Sequence, residues 1–140
     1  MGKAGVLMKK QIWWLGILVF IFLFLSIVPF CYAASNWDYV CASKDGTSYY
    51  LDISSVERQD AYLRFWRKGV HSDIQDGERE FRSYHEVHLA NPLEVRVLHI
   101  ISYDDNGNEL RNYSTSTEWQ GLRSGSIIYA IANAAMRYAQ

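Results

Sequence analysis

Two cysteines, two prolines and four histidines are all that this 140-residue sequence offers of the residues that staple, kink or ligate. With only Cys31 and Cys41 present, a multi-disulfide framework is excluded. Pro29 and Pro92 are the two prolines, and neither an internal repeat nor a low-complexity segment occurs. There is no G-x-S-x-G elbow and no Gly-rich phosphate loop. No Ser or Cys is paired with a His and a carboxylate in a recognisable order. An excess of positive charge is also missing: the formal net charge is −1.

What is present divides at residue 33. Lys3, Lys9 and Lys10 precede an apolar run from Ile12 to Leu25, which Ser26-Ile27-Val28-Pro29 closes. A basic start, an apolar middle and small residues at a cut site are the layout of a secretory signal. Cys31-Tyr32-Ala33 supplies small residues at the third-last and last positions, so residues 1–33 are expected to be a signal peptide cleaved after Ala33. Lipidation of Cys31 is disfavoured because bulky Phe30 stands where a small residue is needed. An uncleaved anchor is the rival reading, since the 17 residues from Ile12 to Val28 approach the length that spans a bilayer core of roughly 30 Å.

Removing three Lys leaves 11 Lys and Arg against 15 Asp and Glu over residues 34–140, a formal charge of −4. That balance keeps a domain soluble and argues against a nucleic-acid partner, which would want a basic face. Only Cys41 survives the cut. In an oxidising compartment it is buried as a small hydrophobe, reactive, or paired with another chain. Strand alternation places Trp37, Tyr39 and Cys41 on one face.

The remaining pattern is one of short strands. Trp37 to Ala42 ends at a turn with Asp45-Gly46, and Thr47 to Ile53 follows. Ser54 and Ser55 offer hydroxyls to nearby backbone, and Glu57 to Asp60 reads as a second turn. Tyr62 to Val70 opposes Leu63, Phe65 and Arg67 to Tyr62, Arg64 and Trp66, so neither face is purely apolar and the sheet is expected to be covered on one side only. His71 to Glu78 reads as a loop. Glu80 to Leu89 then alternates cleanly, with Phe81, Ser83, His85, Val87 and Leu89 on one face. After the Asn91-Pro92 turn, Val95 to Tyr103 is the most apolar run, and Asp104 to Asn108 turns it back into Glu109 to Thr115 through Asn106-Gly107. Past Trp119, Ser124 or Ser126 is placed to cap a helix that carries Ile127, Ile128, Ile131, Ala134, Ala135 and Tyr138 along one stripe. Six strands followed by one helix predict an α+β fold, an antiparallel sheet with the helix packed on one face.

Candidate chemistry is thin. His85 and His88 fall on opposite faces of one strand and cannot share a metal ion. His71 and His99 have no cysteine near them in sequence. Asp104 to Asn108 resembles a calcium loop but lacks its distal Glu, position twelve being Thr115. The sequence therefore identifies no catalytic, cofactor or metal-ligating residue. Trp37, Trp66, Trp119, Tyr49 and Tyr50 are of types that favour protein interfaces, and Arg64, Trp66 and Lys68 share one face of one strand, a candidate contact patch or an ordinary solvated face.

Trp37-Asp38-Tyr39-Val40, Tyr49-Tyr50-Leu51-Asp52-Ile53-Ser54-Ser55-Val56, the strand with Trp66, the Tyr103 to Asn108 hairpin, Trp119 and Ser124-Gly125-Ser126 occur in that order. Together, over nearly all of residues 36–138, they resemble the surface-adhesin protein E-like domain family. The resemblance implies a sheet of about six antiparallel strands with a C-terminal helix on its concave face. It also implies non-catalytic binding of host matrix and serum proteins at the bacterial surface. The adhesin that names the family tethers its helix with a disulfide, whereas no cysteine occurs here between Ser43 and Gln140, so packing must hold the helix. The expectation is an exported, non-enzymatic binding domain with a protein partner, on the cell surface or in the periplasm. Its alternative is an envelope accessory or structural protein.

Overall fold

Alternating side chains become the two faces of an antiparallel sheet. The computed structural model describes residues 34–139; the expected signal peptide of residues 1–33, with Cys31, lies outside the described residues. The strands are β1 (Trp37–Ala42), β2 (Ser48–Asp52), β3 (Glu57–Gln59), β4 (Tyr62–Gln75), β5 (Glu78–His88), β6 (Glu94–Tyr103), β7 (Glu109–Ser114) and β8 (Gln120–Gly121), followed by helix α1 (Ile127–Tyr138). Their spatial order is β1-β2-β4-β5-β6-β7, with β3 paired to β4 and β8 to β6. Every pairing is antiparallel, and short hairpins join most of the paired strands. No helix among the described residues is long and apolar enough to cross a membrane.

The expected sheet and C-terminal helix are both present, with three local differences. Glu57 to Gln59, expected as a turn, is a short strand beside β4, because Ser55 Oγ accepts the Trp66 backbone N–H at 2.8 Å and draws the segment alongside. Residues 71–78, expected as a loop, are mostly hairpin arm: β4 runs to Gln75, and only Asp76 and Gly77, both with positive φ, make the turn. His71 anchors that arm from both ring nitrogens, Nδ1 to Thr47 Oγ1 at 3.1 Å and Nε2 to Glu78 Oε1 at 3.3 Å. Third, a bulge between Tyr39 and Cys41 breaks the alternation of β1. Trp37 and Tyr39 keep one face, while Cys41 pairs with Tyr49 and joins the other. Cys41 is therefore a free, half-buried thiol apart from the aromatic residues expected beside it.

Ser126 caps α1, its Oγ accepting from the Tyr129 N–H at 3.2 Å, after Gly125 takes the left-handed turn at φ +81°. Ile131, Ala132, Ala134 and Ala135 are buried against Leu51, Leu63, Phe65, Val87 and Val95. The alanines let the helix lie close, and Ile131, fully buried, contributes about 1.5–3 kcal/mol by leaving water. At the end of the stripe Tyr138 is exposed, and its hydroxyl donates to Asp38 Oδ2 at 3.1 Å. Apolar packing holds this helix in place of a disulfide.

Beyond the helix the same sheet face stays open. There the ring of Phe81 lies over Gly69 and packs edge-on against Tyr49, with centroids 6.1 Å apart. A Cβ at residue 69 would stand 2.3 Å from Phe81 Cζ. We expect Gly69→Ala to cost about 1–3 kcal/mol by forcing that ring out, measured as a lower urea midpoint. Ile131→Asp places an unpaired charge beneath the helix and should cost several kcal/mol. An Ile131→Asp variant that melts like the parent would refute the docking of α1.

Candidate functional site

Residues that pair across an antiparallel sheet project to the same side, so the register assigns each side chain to a face. The face away from α1 gathers Trp37, Tyr39, Tyr50, Tyr62, Arg64, Trp66, Lys68, Arg82, Tyr84, Glu86, His88, Arg96, His99 and Tyr103. The contact patch expected from Arg64, Trp66 and Lys68 thus exists, and it is the middle of a much larger surface. Trp66 stacks on Tyr84 with centroids 5.2 Å apart and leans on His99 at 5.5 Å. The Lys68 ammonium sits 4.8 Å from the Trp37 ring and 5.0 Å from Tyr50. Arg82 lies over Tyr103 at 4.8 Å and Trp37 at 5.6 Å, and Arg96 over Trp119 at 4.5 Å. Tyr62 stacks on His88 at 4.9 Å. Each cation–π contact is worth about 0.5–1 kcal/mol at such exposure, and together they fix rotamers before any partner arrives.

The electrostatic centre of this face is Glu86, whose side chain is 3% exposed. Arg64 Nε reaches Oε2 at 2.6 Å, and Arg96 reaches Oε1 through Nη2 at 2.6 Å and Nε at 2.8 Å. Burial raises the Glu86 pKa, but the hydrogen bonds and charges of the two arginines outweigh it, and the net shift is downward. The same carboxylate holds Arg64 above the ordinary guanidinium range.

The opposite face carries a row Arg67, Ser83, Ile100, Tyr113 beside a row Gly69, Phe81, Ser102, Arg111. Arg67 donates from Nε to Ser83 Oγ at 3.1 Å, and Ser83 Oγ lies 2.9 Å from His85 Nε2. Its guanidinium is flanked by the rings of Tyr49 and Phe81 at 5.6 and 5.7 Å. Burial lowers the Arg67 pKa, while burial and the Arg67 charge keep His85 neutral, well below the usual imidazole range. In either tautomer His85 Nδ1 is without a partner among the described residues, as is Ser102 Oγ. Ser83 and His85 form a hydroxyl–imidazole pair with no carboxylate on the ring, whereas Thr47, His71 and Glu78 line up hydroxyl, imidazole and carboxylate, with Thr47 fully buried. A cavity of about 320 Å³ opens over this area, lined by Arg67, Glu78, Phe81, Ser83, Val97, Ile100, Arg111 and Tyr113. A larger cleft of about 640 Å³ near the start of α1 has Arg123 as its one charged wall residue.

The other sequence candidates disperse. Burial raises the Cys41 pKa against the pull of Arg67, so the thiol stays protonated at neutral pH. His88 faces Glu94 at 3.6 Å, and His99 lies between Asn112 and Ser114. Asp104 takes the N–H groups of Asn106 and Asn108 at 2.9 and 2.8 Å, so its carboxylate is occupied by the turn itself. Among the described residues no three His, Cys, Asp or Glu side chains converge as a metal site would require. Sequence reasoning missed the Arg67–Ser83–His85 chain and Arg111; the signal available was alternation, which places Ser83 and His85 on one face.

Glu86→Gln should destabilise the domain by about 2 kcal/mol, leaving two guanidiniums against a neutral amide. Because the folded-state pKa is depressed, this contribution is present above the ordinary carboxylate range of about 4.3 and is lost as pH falls through the lower folded value. Thermal melts of parent and variant should therefore differ at pH 7 and converge toward pH 3.

Against known proteins, no curated protein and no solved structure matches this chain. The family model described as surface-adhesin protein E matches residues 37–135, the whole sheet and most of α1. On that match, which spans well over half of the sequence, the chain belongs to the surface-adhesin protein E family.

Proposed function

We propose that this protein is an exported, non-catalytic module that binds an extracellular matrix or host protein through the sheet face opposite α1. The observation that carries the reading is the lattice of aromatic rings and cations on that face, which no described element covers. Half-buried Trp and Tyr give large contact area at small entropic cost, and Lys68, Arg82 and Arg96 favour a partner segment bearing carboxylates. Membership of an adhesin family points the same way. The export step rests on the N-terminal signal layout, and the lack of a small residue before Cys31 favours a soluble over a lipidated product.

The test is surface plasmon resonance against immobilised matrix proteins, paired with protease treatment of intact cells. Trp66→Ala should weaken binding about tenfold or more, about 1.4 kcal/mol. Lys68→Glu should slow association most at low salt. If both variants bind as the parent does, the face is not the docking surface. If the protein is protected until the envelope is breached, the accessory role in the periplasm replaces adhesion.

A further inference from the structure

Buried guanidiniums normally meet a carboxylate, because an unpaired charge away from water is costly. Half-buried Arg67 meets none among the described residues: its Nε donates to Ser83 and its flanks are aromatic, while its Nη groups make no hydrogen bond there and stay open to solvent. Near it two buried polar atoms are unpartnered among the described residues, His85 Nδ1 and Ser102 Oγ. Ser102 pairs with Phe81 on one side and Arg111 on the other, so its hydroxyl belongs to the same face. A half-buried cation without a carboxylate partner therefore lines an open cavity, on the sheet face that also carries the two unpartnered atoms.

We propose that the cavity over β4 to β7 binds a small carboxylate with an apolar body. The geometry assigns the parts. Arg67 presents its free Nη edge, which matches a carboxylate in a two-bond fork. Arg111, exposed on edge strand β7, supplies a second positive charge at the outer end. Phe81, Val97, Ile100 and Tyr113 provide the apolar walls for the rest of the molecule. A volume of about 320 Å³ suits a ligand the size of a short fatty or monocyclic aromatic acid, at the lower end of small-molecule sites of roughly 300–1,000 Å³. Glu78 in the same wall selects for a single negative charge, since a phosphate dianion would face its carboxylate. This site lies on the opposite side of the sheet from the protein-docking face and does not depend on it.

Benzoate is the probe. The full chain, kept in detergent throughout, should give saturable one-to-one binding by calorimetry, with methyl NMR shifts at Val97 and Ile100. Arg67→Met, similar in bulk and free of the unpaired charge, should lower affinity at least tenfold without lowering the melting temperature. Arg111→Gln, on the exposed edge where folding is not at stake, should lower it several-fold. Trp66→Ala, on the other face, should bind benzoate like the parent. No saturable binding, equal binding by both arginine variants, or binding of inorganic phosphate in place of benzoate would each overturn the proposal.

Discussion

The apolar stripe of α1 closing on Leu51, Leu63, Phe65 and Val87 decides what the rest of the sheet is free to do. A helix this short is marginal in water by itself, so its stability derives from tertiary burial. Small alanines bring it close to β1, β2 and β4, and that proximity limits its footprint to one half of one face. The remaining sheet surface must then be stabilised by something other than a second layer.

Different chemistry meets that need on each face. Away from the helix, rings and cations interleave, and Glu86 ties Arg64 to Arg96 so that the positive groups are held at fixed spacing. Such a surface tolerates water and still buries much of each ring, the compromise that interfaces share with half-exposed sheets. On the helix side, the region beyond α1 keeps a strip of polar side chains, Arg67, Ser83 and His85, adjacent to apolar walls. The strip is dry enough to shift the pKa of Arg67 and His85, yet open enough to leave a cavity.

How much of this was legible in the sequence depended on the range of the signal. The hairpin at Asp104 to Asn108 was readable because Asn-Gly chemistry and the Asp104 side chain act within five residues. The helix and its cap were readable from periodicity, and Arg64, Trp66 and Lys68 shared a face by simple alternation. The arm from His71 to Gln75 was not, since polar residues on both sides of an exposed hairpin leave no apolar rhythm to detect. Cys41 went to the wrong face because one inserted residue shifts the parity of everything after it. Arg67 and Arg111 could not be associated at all, because strand order, not spacing, carries them to one cavity.

Among the described residues the main path of the sheet ends at β1 and β7, and unpaired strand edges invite one chain to continue the hydrogen-bond ladder of another. Here each edge is blunted by a different device. The bulge at Tyr39 to Cys41 kinks one rim and interrupts its ladder, while Glu109 and Arg111 set opposite charges along the other. Both devices make either rim a poor template for a strand that would continue the ladder.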